Sequence, residues 1–138
     1  MPGNDELITV AGEWVAKAEN DLKNAAYTLG MGEDCPTDTI CFHAQQCIEK
    51  YIKALLVLRG IDFPKTHDLE ELIRLLGKSA RISITAEELD MLTDYATGAR
   101  YPGWGDISLA EARKAVRIAK RVRREIRKLL PGKALRRK

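Results

Sequence analysis

TDTICFHAQQCIEKYIKALLVLRG, residues 37–60, is the stretch whose spacing sets the architecture. Ile40, Ala44, Cys47, Ile48, Tyr51, Ile52, Leu55 and Leu58 recur at three- and four-residue intervals, the spacing of one helical face. Thr37 or Asp38 stands where an N-cap belongs, and Gly60 stops the pattern, with Pro64 in the connector beyond. The stretch predicts a long amphipathic helix.

The same period continues on both sides. Upstream, Leu7, Ala11, Trp14, Val15, Ala18, Leu22, Ala25 and Leu29 mark a first helix up to Gly30, with Gly12 leaving its start open. Downstream, Thr66 or Asp68 starts a shorter helix through Leu69, Leu72, Ile73 and Leu76 to Gly77. Thr85-Ala86-Glu87-Glu88 is a capping-box sequence leading into Leu89, Leu92 and Tyr95. Gly98 and Pro102-Gly103-Trp104-Gly105 break the chain. Ser108-Leu109-Ala110-Glu111 is a second capping box, opening a helix with Ala112, Ala115, Val116, Ala119, Val122, Ile126, Leu129 and Leu130 on one side. Pro131-Gly132 ends it. Ile82-Ser83-Ile84 reads as loop, and neither hairpin signals nor an internal repeat are visible. Such stripes are buried only against one another, so the expected fold is all-α, an antiparallel up-and-down bundle of four to five helices. It is expected as a single domain over residues 1–138, with 131–138 a frayed basic tail.

Composition excludes several classes. A chain of 138 residues suits one domain, since domains run to about 100–150 residues. Apolar residues at 45% are too many for disorder. The longest apolar run, Ala54 to Leu58, falls far short of the roughly 18 residues of a membrane span. No basic region precedes an apolar stretch in MPGNDELITV, so no secretory signal is visible. Three cysteines, an odd number in a chain rich in core formers, argue against a disulfide framework and for the cytoplasm. The net charge of +3 conceals an asymmetry: residues 108–138 carry 13 Lys and Arg against Glu111 and Glu125, a balance of +11, while residues 1–107 stand at −8. A basic segment on an acidic body suits an anionic partner or a second copy of the chain.

Five constellations carry candidate chemistry. His43, Gln46, Glu49, Lys50 and Lys53 fall on or beside one polar face of the second helix. It is either a nucleotide or partner surface, with Lys50 and Lys53 neutralising phosphate and Gln46 offering its amide, or a solvated face with a Glu49–Lys53 pair worth about 0.2–0.5 kcal/mol. His67 opens the third helix, either cradling phosphate with Lys65 or fixing the connector; Asp68, Glu70 and Glu71 beside it would repel an anion. Arg100 and Tyr101, in a loop with Trp104, suit phosphate contact and base stacking, or equally the capping of the bundle's end. Arg113, Arg117, Lys120, Arg124 and Arg127 form a ridge opposite the apolar stripe of the last helix, suited to a nucleic-acid backbone or an acidic protein. Cys41, His43 and Cys47 lack metal-site spacing, and Cys47 reads as core.

HAQQCIEKYIKALLVLRG at 43–60 with FPKTHDLEELIRLL at 63–76, followed by Arg100-Tyr101-Pro102 and a long alanine-bearing helix, resembles the HEPN family (higher eukaryotes and prokaryotes nucleotide-binding). The resemblance implies a helical bundle, commonly a homodimer. It also implies one of three roles: partner of a minimal nucleotidyltransferase in a toxin–antitoxin-type or nucleotide-binding pair, metal-independent ribonuclease, or non-catalytic accessory domain. The ribonuclease branch carries Arg, four to six residues, then His near the start of the last long helix. Here no His follows Arg100, and Arg59 and His67 match neither the spacing nor the place.

The expectation is therefore a non-catalytic nucleotide- or partner-binding protein acting with a minimal nucleotidyltransferase. The alternatives are an RNA-directed ribonuclease or RNA binder using the last helix, and a purely structural partner subunit. The contact residues are Gln46, Lys50, Lys53, His67, Arg100, Tyr101, Arg117 and Arg124. No catalytic residue, metal ligand or cofactor is assigned, and a homodimer with weak, non-specific RNA binding at most is expected.

Overall fold

Local side chains set where three of the helices begin. The structure, a computed structural model, describes residues 3–96, 102 and 105–135, and six helices occur among them. They are α1 (Asn4–Leu29), α2 (Thr37–Leu58), α3 (Leu69–Leu76), α4 (Ala86–Thr93), α5 (Leu109–Arg127) and α6 (Gly132–Leu135), with no strand among the described residues. Asp68 caps α3 by accepting the Glu71 N–H at 3.3 Å. Thr85 and Glu88 form the complete capping box of α4. Gly60 (φ 70°) and Gly77 (φ 54°) take the left-handed turns that end α2 and α3.

Three details depart from the sequence reading. Neither Thr37 nor Asp38 caps α2: Pro36 occupies the N-cap position, and the Thr37 hydroxyl instead donates to the Ile107 carbonyl at 2.7 Å. Ser108 caps α5, but Glu111 does not complete the box, because its carboxylate accepts the Tyr95 hydroxyl. The tail expected to fray is ordered over 132–135, where Pro131-Gly132 turns the chain into α6 and buries Ala134. Gly12 lies against this turn, and a Cβ there would be a tight 3.2 Å from the Ala134 carbonyl oxygen. Residues 136–138 lie outside the described residues.

Side-chain pairs give the directions. Asp21 of α1 meets His43 and Lys50, whereas Trp14, earlier in α1, lies beside Lys53, so α1 and α2 run antiparallel. Ser83 reaches Glu125 while Tyr95 reaches Glu111, so α4 runs antiparallel to α5. Thr37 meets Ile107 and Tyr51 meets Arg127, so α5 follows the sense of α2, with α4 on the return leg. Ala11, Ala18 and Ala25 on α1 and Ala112, Ala115 and Ala119 on α5 are buried, and such small side chains let these helices come close to α2. α2 is the central element, with 14 of its 22 residues buried, polar ones among them.

Candidate functional site

A helix enclosed by its neighbours must bury part of its polar face, and a buried charge is tolerated only when paired. Glu49, 2% exposed, is where this happens on α2. Its Oε2 accepts Lys53 Nζ at 3.0 Å, and its Oε1 accepts His67 Nδ1 at 2.9 Å and Gln45 Nε2 at 3.2 Å. An ionised carboxylate accepts only, so the proton of the His67 contact sits on Nδ1. Gln46 Nε2 donates to the Gln45 side-chain Oε1 at 2.6 Å, and Gln45 Nε2 donates to the His67 backbone carbonyl at 3.4 Å. Lys53 also lies 5.3 Å from the Trp14 ring and 5.7 Å from the Phe63 ring, which stack edge to face. The cluster ties the connector before α3 to the middle of α2.

One turn away on the α1 side, Asp21 accepts His43 Nδ1 at 2.7 Å and Lys50 Nζ at 2.6 Å. A third carboxylate, Glu19, holds α5: Arg123 grips it through Nε and Nη2 at 2.8–3.0 Å, and Arg127 adds a contact at 3.4 Å while donating to the Tyr51 hydroxyl. Burial alone would raise the Glu19 pKa, but the Arg123 and Arg127 guanidiniums outweigh it and hold the carboxyl below its ordinary value. Arg121 grips Glu88 and reaches Ser83, tying α4 to α5.

The face of α5 turned to solvent is different. Arg113, Arg117, Lys120 and Arg124 are exposed and make no ion pair or hydrogen bond among the described residues. At the C-terminal end of this row lies a groove of about 530 Å³ between α1 and α5, with Leu22, Ala26 and Tyr27 on one side and Lys120 and Arg124 on the other. Tyr27 is 77% exposed.

Of the residues expected to contact a ligand or partner, the structure brings Gln46, Lys53 and His67 together around Glu49, with only His67 well exposed. Lys50 belongs to the neighbouring Asp21 pair. Gln46 and Lys53 are buried and Lys50 is partly exposed, and each donates to a neighbouring side chain within the protein. Arg117 and Arg124 stand on the exposed row, but Arg127 turns inward and leaves the ridge. Arg100 and Tyr101 lie outside the described residues. Asp21, Glu19, Gln45, Arg121 and Arg123 were not singled out by the sequence reading. Their one sequence signal is a place beside an apolar stripe, which many surface residues share. Cys41 and Cys47 are core residues, and burial pushes the Cys41 thiol up to about 12. Among the described residues no group of three or more His, Cys, Asp or Glu side chains is placed to hold a metal, and no helix is long and apolar enough to cross a membrane.

Two crystal structures share this helical fold. TT1696 from Thermus thermophilus aligns with a TM-score of 0.67 at 24% identity, over 88% of this chain and 99% of that one. ST0689, an archaeal HEPN homologue, aligns with a TM-score of 0.63 at 24% identity, over 88% and 98%. At that identity the likeness speaks for the fold alone. No curated protein matches the chain. The sequence profile of the HEPN domain matches residues 11–129, which runs from the first third of α1 past the end of α5, and the chain belongs to the HEPN domain family.

Proposed function

We propose that this HEPN protein is non-catalytic and acts by binding a partner protein through the exposed face of α5, the partner being a minimal nucleotidyltransferase in a toxin–antitoxin-type pair. The observation that carries the reading is the contrast along one helix. Arg121, Arg123 and Arg127 are consumed by Glu88 and Glu19, whereas Arg113, Arg117, Lys120 and Arg124 are left in water with no carboxylate of their own among the described residues. Four unpaired cations in a row repel one another, and an acidic surface laid against them relieves that repulsion. The lack of any His after Arg100 supports a binding role over the ribonuclease role of the family. The protein is proposed as a homodimer in the cytoplasm, and a nucleotide is the other proposed ligand, with the half-exposed His67 nearest to hand.

The test is co-expression with a minimal nucleotidyltransferase of the same genome, followed by size-exclusion chromatography with light scattering. A joint peak that disappears when Arg117 and Arg124 are both changed to Glu is the expected result. A double variant that still co-elutes removes the α5 face from the interaction, and a wild-type chain that elutes alone removes this partner.

A further inference from the structure

The groove between α1 and α5 differs in chemistry from the row of cations it adjoins. Its floor is Leu22 and Ala26, and Tyr27 stands on its α1 rim with the cations Lys23, Lys120 and Arg124 around it. The one carboxylate in it, Glu19, is neutralised by Arg123 and Arg127. The Tyr27 hydroxyl has no partner among the described residues, and an aromatic ring left in water on a concave rim is the residue type enriched where proteins meet. The volume, about 530 Å³, falls within the range of about 300–1,000 Å³ in which concave sites enclose compact ligands.

We infer that this groove is the anchor pocket for an acidic amphipathic segment of a partner protein, which seats one large apolar side chain on Leu22, Ala26 and Tyr27 and lays carboxylates along Arg124, Lys120, Arg117 and Arg113. The inference rests on the α5 face being a protein-docking surface, as proposed above. From Arg113 to Arg124 the row runs about 16 Å at 1.5 Å per residue, about three helical turns, so carboxylates three and four residues apart on a partner helix match its steps. The floor decides between a protein and RNA. Single-stranded nucleic acid gains from a succession of rings on which bases stack, and Leu22 and Ala26 supply none. An apolar side chain gains from them directly through the area it removes from water.

The experiment selects binders from a random peptide library displayed on phage against the full chain at physiological salt, then measures chosen peptides by fluorescence anisotropy. Oligouridine serves as competitor. Enriched peptides are expected to carry Asp or Glu at three- and four-residue steps beside a Trp, Phe or Leu. Ala26→Trp, which fills the groove without altering charge, should weaken them about tenfold or more, the worth of burying one large apolar side chain. Tyr27→Ala, at an exposed position that the fold does not need, should weaken them several-fold and carries the test if Ala26→Trp lowers the melting temperature. Failure to enrich any peptide, or enrichment of peptides without the apolar residue, overturns the inference. Unchanged binding in both groove variants, with loss in the Arg117→Glu/Arg124→Glu double variant, overturns the groove alone and leaves the docking face standing. Unchanged binding in that double variant overturns both. Oligouridine displacing the peptides at equal or lower concentration moves the surface to nucleic acid and overturns the inference as well.

Discussion

Glu49 is a full negative charge in the middle of the most enclosed helix, and its removal should reveal how tightly the connector is held. Truncation to Ala would leave the Lys53 ammonium, itself only 6% exposed, without its counter-charge between the Trp14 and Phe63 rings. Breaking a buried pair from one side costs about 3–5 kcal/mol, so Glu49→Ala should lose about that much stability in urea denaturation. The double variant Glu49→Ala/Lys53→Met should recover most of it, because Met suits the aromatic surroundings and leaves no unpaired charge. A double variant as unstable as the single one would mean that the loss comes from the His67 and Gln45 contacts. Gly12 poses the opposite case, a residue that acts by what it lacks. Gly12→Leu should lift α6 from α1, costing about 1 kcal/mol, an amount comparable to partly exposing one small apolar patch. Hydrogen exchange at the Ala134 amide, now bonded to the Pro131 carbonyl at 3.0 Å, should lose its protection in that variant.

At the scale of elements, the three long helices were legible because their apolar periods are long and unbroken, and the capping sequences at Asp68, Thr85 and Ser108 located the starts of α3, α4 and α5. What stayed hidden depends on contacts distant in sequence. The start of α2 is held by Ile107, 70 residues away, and α6 packs against a glycine near the other end of the chain. The polar face of α2 has a helical period whether water or protein covers it, so periodicity could not tell a solvated Glu49–Lys53 pair from a buried one. The same holds on α5, where alternate arginines look alike in sequence and divide into inward and outward sets only when Glu19 and Glu88 arrive from other helices. That inward set ties α1 and α4 to α5 through Glu19 and Glu88, and the tie should weaken in acid. Glu19 and Glu88 both have folded-state pKa values below their ordinary ones, Glu88 chiefly through its hydrogen bond from Arg121. A depressed carboxylate contributes stability that is complete above its unfolded value and is lost as pH falls through the folded one. Stability should therefore decline as the pH drops below the ordinary glutamate range, and Glu19→Gln should flatten part of that decline. Chemical denaturation followed across the acid limb measures it. A Glu19→Gln curve parallel to wild type would show that the clamp does not couple to protons.

For the whole molecule the decisive property is where the charge sits. An acidic body at −8 carries a basic last segment at +11, and that segment's outward cations are the ones a polyanion would meet first. If Arg113, Arg117, Lys120 and Arg124 each met one phosphate of single-stranded RNA, log K would fall by about 0.7 per contact for each unit of log salt, or by about 3 in all. Four contacts with little base stacking leave small affinity at physiological salt, and the acidic body repels any strand that extends beyond the ridge. RNA binding should therefore be weak, insensitive to sequence and gone in moderately raised salt. Cleavage should not accompany it. Both histidines have one ring nitrogen held by a carboxylate, His43 by Asp21 and His67 by Glu49, and neither stands on α5 beside the phosphates such a strand would present. Incubating the protein with a labelled single-stranded RNA, with and without chelator, while titrating salt in a parallel binding assay, reads both halves of the prediction. Sequence-selective submicromolar binding at physiological salt would mean that the basic segment works on RNA, and cleavage abolished by Arg100→Ala would mean that the chain is a ribonuclease acting through the loop before α5. Weak binding with the expected slope leaves the exposed row of α5 free for an acidic protein, the class of partner its spacing and its adjoining apolar groove suit together.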